Sequence, residues 1–320
     1  MALLIVDGNN LAHRARHSFV LSFRGKDVSV TYGTLRMLLA VVKEVKPEAV
    51  LMCFDGGYPG FRKRLIPTYK QHRHHDEDPT YPEFLAQLRE LENILPRFGV
   101  LVARRKGIEA DDLMYQATRM SLHPKNIVYT NDDDLLQVIN DNTNVLKPAK
   151  QRNIMVTLDN FQKFAYGASP ACYIAAKVLL GDSGDGVPGC FGVGEKTVRK
   201  LFANLDALPD DDSWNLSKRV TKSMANRVEQ FWRTESFLCA WDAMDLAYDR
   251  SGARYTLMNC SWQPYDDKHI QRYCINNGFM SLIEASPLLG VFGHMSRPEL
   301  SVVHGMRVPR VWDATRNPVE

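Results

Sequence analysis

The chain has 320 residues, of which 45% are hydrophobic, 10% aromatic and 24% charged, with 40 lysines and arginines against 37 acids. That composition supplies a core for one large domain or two modest ones and excludes a disordered chain, while 20 glycines and 16 prolines without a period exclude a collagen-like one. The net charge of +3 points to no partner as a total, so the position of each sign has to be followed along the chain.

Ala2 to Val6 is a short apolar run, which predicts a strand covered on both faces. Leu35, Leu38, Leu39 and Val42 recur at helical spacing over 31–45, and Pro47 stops the pattern. Ala49 to Phe54 is a second strand-like run. Leu85, Leu88, Leu91 and Leu95 predict a helix over 82–96, followed by a strand at Val100 to Ala103. Ile108 to Met120 reads as helix and Asn126 to Thr130 as strand. This alternation predicts a parallel α/β sheet. From about residue 158 the strand signals fade. Ser169-Pro170 has the form of a helix N-cap and its first residue, with helix continuing over 171–180. Glycines then crowd 181–194, ahead of a helix over 195–204. Asp210-Asp211-Asp212 precede Lys218, Arg219, Lys222, Arg227 and Arg233, and the proline-bearing last thirty residues read as loop.

No uncharged apolar run approaches the ~18 residues that span a bilayer, and no membrane association is expected. The start reaches Asp7 too early for a signal peptide. The six cysteines (53, 172, 190, 239, 260 and 274) form no CxxC pair, the pattern expected of a cytoplasmic chain with reduced thiols.

Three predicted strands each deliver an aspartate to their carboxyl end: Asp7, Asp55 and Asp132. Sites in open α/β sheets form at that edge, although an Asp after a strand is also a common turn or cap residue. Glu109-Ala110-Asp111-Asp112 opens a helix. Helical spacing places Glu109 and Asp112 on one face and turns Asp111 away. Continued extended chain through Asp132 and Asp134 would aim both the same way and Asp133 elsewhere. Asp182 and Asp185 repeat a spacing of three. Nine carboxylates gathered in one crevice would repel one another and bind protons unless hard divalent cations sat among them. No His or Cys stands at ligand spacing within these clusters, which argues against zinc and for a two-metal phosphodiester hydrolase.

The stretch from Phe61 to Arg73 carries Arg62, Lys63, Arg64, Lys70 and Arg73 without an acid, and holds the aromatic Tyr69. That is the composition of a phosphate-contacting segment with stacking capacity; a solvated loop is the plainer alternative. His72, His74 and His75, followed by Asp76, are expected in an exposed loop. Gly186 to Thr197 is a glycine-rich turn before a helix bearing Lys196, Arg199 and Lys200. Gly192 and Gly194 lack Walker spacing before Lys196-Thr197, so a helix-hairpin-helix gripping a DNA backbone fits better than a P-loop.

Six stretches occur together in order: Ile5 to Asn10; Phe54-Asp55; Phe61-Arg62 with Pro67 to Arg73; Gly107 to Asp112; Thr130 to Gln137; and Gly181 to Gly189 with Gly192 to Thr197. In these the chain resembles the structure-specific 5′-nucleases, the flap endonucleases, and most the 5′-nuclease domain of bacterial DNA polymerase I and the 5′-exonucleases of phages. The likeness covers about residues 1–205. It implies a PIN-like, mostly parallel α/β fold with a helical arch, followed by a helical helix-hairpin-helix region. The expected domains are a nuclease core over 1–180 with an arch at about 56–82, a DNA-binding region over 181–290, and a tail over 291–320.

The resemblance further implies two Mg²⁺ ions, with Mn²⁺ able to substitute, and K⁺ at the hairpin. Asp7, Asp55, Glu109, Asp111 and Asp112 would build mainly one metal site. Asp132, Asp134, Asp182 and Asp185 would build mainly the other, with some shared and with Asp132 essential to catalysis. Lys70 and Arg73 would contact the scissile phosphate, Tyr69 would stack on a terminal base, and Arg62, Lys63, Arg64, Gly192, Gly194, Lys196 and Thr197 would bind DNA. Gly186 departs from the Asn usual in polymerase-associated members. The implied substrate is DNA at junctions of duplex and 5′ single strand, cleaved to leave 5′-phosphates in replication or primer removal. A polymerase or single-strand-binding protein is the implied partner, and a monomeric, self-standing enzyme in a bacterial or phage-infected cytoplasm is expected. A non-catalytic junction-binding protein and a PIN-type ribonuclease are the alternatives.

Overall fold

The computed structural model describes residues 2–57, 60–72, 78–208, 215–247, 260–284 and 292–300. In chain order its elements begin β1 (Ala2–Asp7), α1 (Gly8–Ser18), the small hairpin β2 (Ser22–Phe23) and β3 (Lys26–Asp27), α2 (Ser29–Val45), β4 (Ala49–Phe54), α3 (Gly60–Leu65) and α4 (Tyr81–Ile94). They continue with β5 (Val100–Arg104), α5 (Ala110–Met120), β6 (Lys125–Tyr129), β7 (Thr143–Lys147), β8 (Ile154–Val156), α6 (Phe161–Phe164), α7 (Tyr173–Leu180) and α8 (Glu195–Phe202). The last are α9 (Lys222–Trp232), α10 (Glu235–Met244), α11 (Asp267–Asn276) and α12 (Met280–Glu284).

The chain divides into two compact units, the first comprising residues 1–59, 74–157 and 255–302 and the second 60–73, 158–254 and 303–320. These units cut the chain differently from the expected domains. Residues 260–284, expected within the DNA-binding region, belong to the first unit and help close its core: Ile270, Cys274, Phe279 and Leu282 are buried in the same apolar cluster as Leu38 of α2 and Leu91 of α4. Apolar burial drives that return, since a fully buried Phe or Leu stabilises a fold by roughly 1.5–3 kcal/mol.

In the first unit a six-stranded sheet runs in the order β5-β4-β1-β6-β7-β8. Its first five strands are parallel and β8 is antiparallel to β7. Leu3 to Val6 and Ala49 to Cys53 have no exposed surface, as central parallel strands covered on both faces require. The chain leaves β1 toward β4 on one side and later returns to β6 on the other. That reversal opens a crevice at the carboxyl ends of the central strands.

The second unit is helical. α7, α8 and α9 pack around Ala175, Ala176, Leu179, Val198, Leu201 and Val228. A second cluster joins Ile66 and Tyr69 to Val178, Val187, Phe237 and Met244. Two sequence expectations change here. Tyr69 is only 4% exposed, with its ring in this apolar cluster, so it is a core residue and not a base-stacking platform. Arg62 is 3% exposed and its Nε donates to the Ala243 carbonyl at 2.9 Å, so its guanidinium tethers α3 to α10 instead of reaching out to DNA. The stretch expected to form an arch, 56–82, is described except for residues 58–59 and 73–77. Arg73, His74 and His75 lie outside the described residues.

Candidate functional site

Asp7 ends β1 and caps α1, its Oδ1 accepting from the Asn10 N–H at 2.8 Å and its Oδ2 from the Thr130 hydroxyl at 2.9 Å. Asp55 follows β4. Its N–H donates to Asn9 Oδ1 at 2.9 Å, and its Oδ1 accepts from the Ala110 N–H at 2.8 Å. Asp132 caps the turn after β6, with Oδ1 accepting from the Asp134 N–H at 2.8 Å. Three carboxylates therefore project from three adjacent parallel strands, each fixed by hydrogen bonds at its own strand end.

Asp111 lies at the electrostatic centre of this group. Burial raises its carboxyl well above the usual carboxylate range, and the charges of Asp132, Asp7, Asp55 and Glu109 push it the same way. Burial likewise lifts Asp7 to about 6, with Asp55 adding to it and the Asn10 and Thr130 bonds opposing it. Helical spacing had turned Asp111 away from Glu109. Glu109 is instead the cap of α5, with φ −82° and ψ 157°, so the helical rotation per residue does not extend back to it. Asp112 sits buried in the first turn of α5.

The chain after Asp132 also differs from the extended run expected. Residues 133–138 form a 3₁₀ turn, in which Asp133 pairs with Lys147. Asp134 follows one residue on in that turn, its N–H already held by Asp132. Sequence reasoning missed Thr130, Asn9 and Asn10 as organisers of the acids. The available signal was a hydroxyl at a strand end two residues before an Asp, which forms a local turn with the backbone.

In the second unit Asp182 and Val187 exchange backbone hydrogen bonds of 2.9 and 2.8 Å. The Asp182 Oδ1 accepts from the Asp185 N–H at 3.1 Å, and Lys177 Nζ lies 3.6 Å from its Oδ2. Asp185 Oδ2 accepts from the Tyr69 hydroxyl at 3.1 Å and pairs with Lys70 Nζ at 3.5 Å. Lys70 also adopts a left-handed φ of +53° and donates its N–H to the Asp185 carbonyl at 2.8 Å. Lys63 and Arg64 are exposed on α3.

α7 and α8 are the two helices of the expected hairpin, joined through the glycine-rich turn. Gly194 caps α8, and the Thr197 N–H donates to the Gly194 carbonyl at 2.9 Å. Lys196, Arg199 and Lys200 are exposed along α8. Phe191, 85% exposed, and Arg227, whose Nη1 donates to the Phe191 carbonyl at 3.1 Å beside Gly192, were not anticipated at this tip.

The donor chemistry at the sheet edge fits a hard divalent cation: it is all carboxylate oxygen, and the groups repel one another until a cation neutralises them. Among the described residues no three His, Cys, Asp or Glu side chains are gathered closely enough to form a ready-made metal site. Mg²⁺ does not need one, because it keeps several waters and takes few protein ligands.

Residues 2–165 match the family described as 5′-3′ exonuclease, N-terminal resolvase-like domain. A 5′-3′ exonuclease of Streptomyces coelicolor is 32% identical over 244 residues, covering 69% of this chain and 81% of that protein. The thermostable DNA polymerase I of Thermus filiformis is 31% identical over 232 residues, covering 71% of this chain but 26% of the polymerase. The chain thus spans about a quarter of the polymerase it matches.

Among solved structures, the T5 5′-exonuclease with bound zinc ions aligns with a TM-score of 0.59 at 18% identity, covering 77% of this chain and 90% of that one. The catalytic core of Rad2 in complex with DNA substrate aligns with a TM-score of 0.59 at 17% identity, covering 89% and 92%. At these identities the structures show a shared fold, and the sequence matches supply the lineage: the chain belongs to the 5′-3′ exonuclease family.

Proposed function

We propose that the chain is a divalent-metal-dependent 5′-nuclease that hydrolyses phosphodiester bonds of DNA near 5′ ends and flaps, leaving 5′-phosphates. The observation that carries this reading is Asp111, whose carboxyl is raised first by burial and then by four other acids: Asp132, Asp7 and Asp55 after β6, β1 and β4, and Glu109 at the cap of α5. A structural acidic surface would spread such charges apart. The Streptomyces relative, a 5′-3′ exonuclease, and the zinc-bound T5 and DNA-bound Rad2 structures support it.

In this reading Asp7, Asp55, Glu109, Asp111, Asp112, Asp132 and Asp134 hold Mg²⁺, for which Mn²⁺ can substitute, and Asp182 and Asp185 are the further metal ligands. When bound, the ions supply Lewis-acid activation of water and neutralise charge developing on the phosphate. The hydrogen bonds on Asp7, Asp55 and Asp132 fix each carboxylate before a cation arrives, which limits the reorganisation needed during reaction. Lys70, with Arg73, is the cation for the scissile phosphate. Lys63, Arg64, Lys196 and the Gly192–Gly194 turn hold the DNA backbone, with K⁺ as a candidate ion at that turn. A replication polymerase or single-strand-binding protein is the proposed partner in the cytoplasm.

The test uses a 5′-labelled flap and a nicked duplex, with Mg²⁺ or EDTA, beside single-stranded RNA. Product from DNA that EDTA abolishes is expected. DNA binding without any product would favour a junction-binding protein, and product from RNA alone would favour a ribonuclease.

A further inference from the structure

Thr130 follows β6 directly and is 1% exposed. Its Oγ1 accepts from the Asp132 N–H at 3.0 Å, and a backbone N–H can only donate. The hydroxyl proton is therefore available for Asp7 Oδ2, 2.9 Å away. With the Asn10 N–H on Oδ1 at 2.8 Å, both oxygens of Asp7 are fixed in direction. On the other side, the backbone that Thr130 anchors starts the turn in which Asp132 Oδ1 receives the Asp134 N–H. One buried hydroxyl thus sets the orientation of the acid ending β1 and the start of the acidic turn after β6.

We propose that Thr130 is a positioning residue for divalent-cation binding, joining Asp7 to the Asp132–Asp134 turn so that both are oriented before a cation arrives. The inference rests on the metal-dependent reading above and goes beyond its ligand set. Thr130→Val keeps the shape of the side chain but loses both bonds, leaving the Asp132 N–H without its acceptor and Asp7 Oδ2 without its donor. Thr130→Ser keeps the hydroxyl and loses one methyl.

The experiment titrates Mn²⁺ into wild type, T130V and T130S without DNA, reading free Mn²⁺ by electron paramagnetic resonance, with thermal melts in EDTA as the folding check. Valine is expected to weaken Mn²⁺ binding roughly 10–100-fold and serine by no more than about threefold, the range seen for partners that orient metal ligands. The Mg²⁺ concentration for half-maximal flap cleavage should rise with valine while the rate at saturating Mg²⁺ largely recovers, a split that a general loss of folding does not produce. A folded valine variant with wild-type Mn²⁺ affinity overturns the proposal. So does a folded serine variant bound tenfold or more weakly than wild type, and this arm stands even where valine prevents folding. Because Mn²⁺ is counted without DNA, the result is separate from whether the wild type cleaves a flap.

Discussion

Asp55 Oδ1 accepts the Ala110 N–H at 2.8 Å, so the end of β4 caps the start of α5. The neighbouring backbone closes the same junction twice, with the Gly56 N–H on the Ile108 carbonyl at 2.8 Å and the Gly107 N–H on the Gly56 carbonyl at 2.9 Å. A Cβ on Gly56 would lie 1.5 Å from the Arg105 carbonyl oxygen. Gly56→Ala must therefore part the two loops, and a loss of roughly 1–3 kcal/mol or more is expected by denaturant melting. An alanine variant of wild-type stability would contradict that close approach.

Asp111 carries the sharpest conflict between folding and function. Its carboxylate is buried among Asp132, Asp7, Asp55 and Glu109, so neutralising it relieves repulsion in the metal-free protein. Asp111→Asn is expected to raise the melting temperature in EDTA by about 2–4 °C, the response of a domain of this size to ~1 kcal/mol. The same change should lower Mg²⁺-dependent cleavage by roughly 100-fold or more, since an oxygen ligand becomes a neutral amide. Asp132→Asn should likewise abolish cleavage while DNA binding persists. A less stable Asp111→Asn protein, or one with full activity, counts against its central place.

The central sheet was legible because the middles of β1, β4 and β5 are buried and so read as short apolar runs, and β6 keeps Ile127, Val128 and Tyr129 together. α1 was not, because Gly8–Ser18 buries mainly Gly8, Leu11, Ala12 and Ala15 and carries polar residues between them. β7 was hidden by Thr143, Asn144 and Lys147, which leave it only two adjacent apolar residues, and β8 is only three residues long. The acids were legible at strand ends, but their mutual orientation depends on caps, as Glu109 shows. Arg62 and Tyr69 were misread for another reason. A charge run is normally solvated, and the carbonyl of Ala243 that takes Arg62 lies 181 residues further on, where no local pattern reaches.

The stability of the metal-free protein should depend on pH through Asp7. Its carboxyl is lifted from 3.8 to about 6, so between those values the native state binds more protons than the unfolded chain. Stability therefore falls as pH rises through about 4 to 6, by on the order of 3 kcal/mol for an isolated group with this shift. Mg²⁺ should flatten the profile by stabilising the ionised form. Melts in EDTA and in Mg²⁺ at pH 5 and pH 7.5 check this. A metal-free protein more stable at pH 7.5 than at pH 5, with Asp7→Asn showing the same trend, would refute it.

Lys70 is held by Asp185 through both its side chain and its backbone, and its φ of +53° is strained for a lysine. Such fixation suits a group acting at one phosphate. Lys70→Ala is expected to lower the single-turnover rate roughly 100-fold, the scale of one lost charge-stabilising donor. DNA affinity should change only a few-fold, because one phosphate contact is a small part of binding. Equal losses in rate and affinity would make Lys70 a binding residue instead.

Gly186 stands where the resemblance predicts Asn, and its surroundings say why Asn does not fit here. Its φ of +72° is a conformation Asn tolerates, so the torsion alone is not the obstacle. The obstacle is the chain beside it: a Cβ would lie 2.5 Å from the Thr68 carbonyl oxygen, on the segment whose Lys70 N–H and Thr68 hydroxyl bond to Asp185 and Gly186. Gly25 provides the control, with a φ of +77° and no atom within 4 Å of a would-be Cβ. Gly25→Asn should leave stability within about 0.5 kcal/mol, whereas Gly186→Asn should cost roughly 1–3 kcal/mol, by displacing the 68–70 segment. If both variants melt alike, the close approach of Thr68 to Gly186 is not what excludes asparagine.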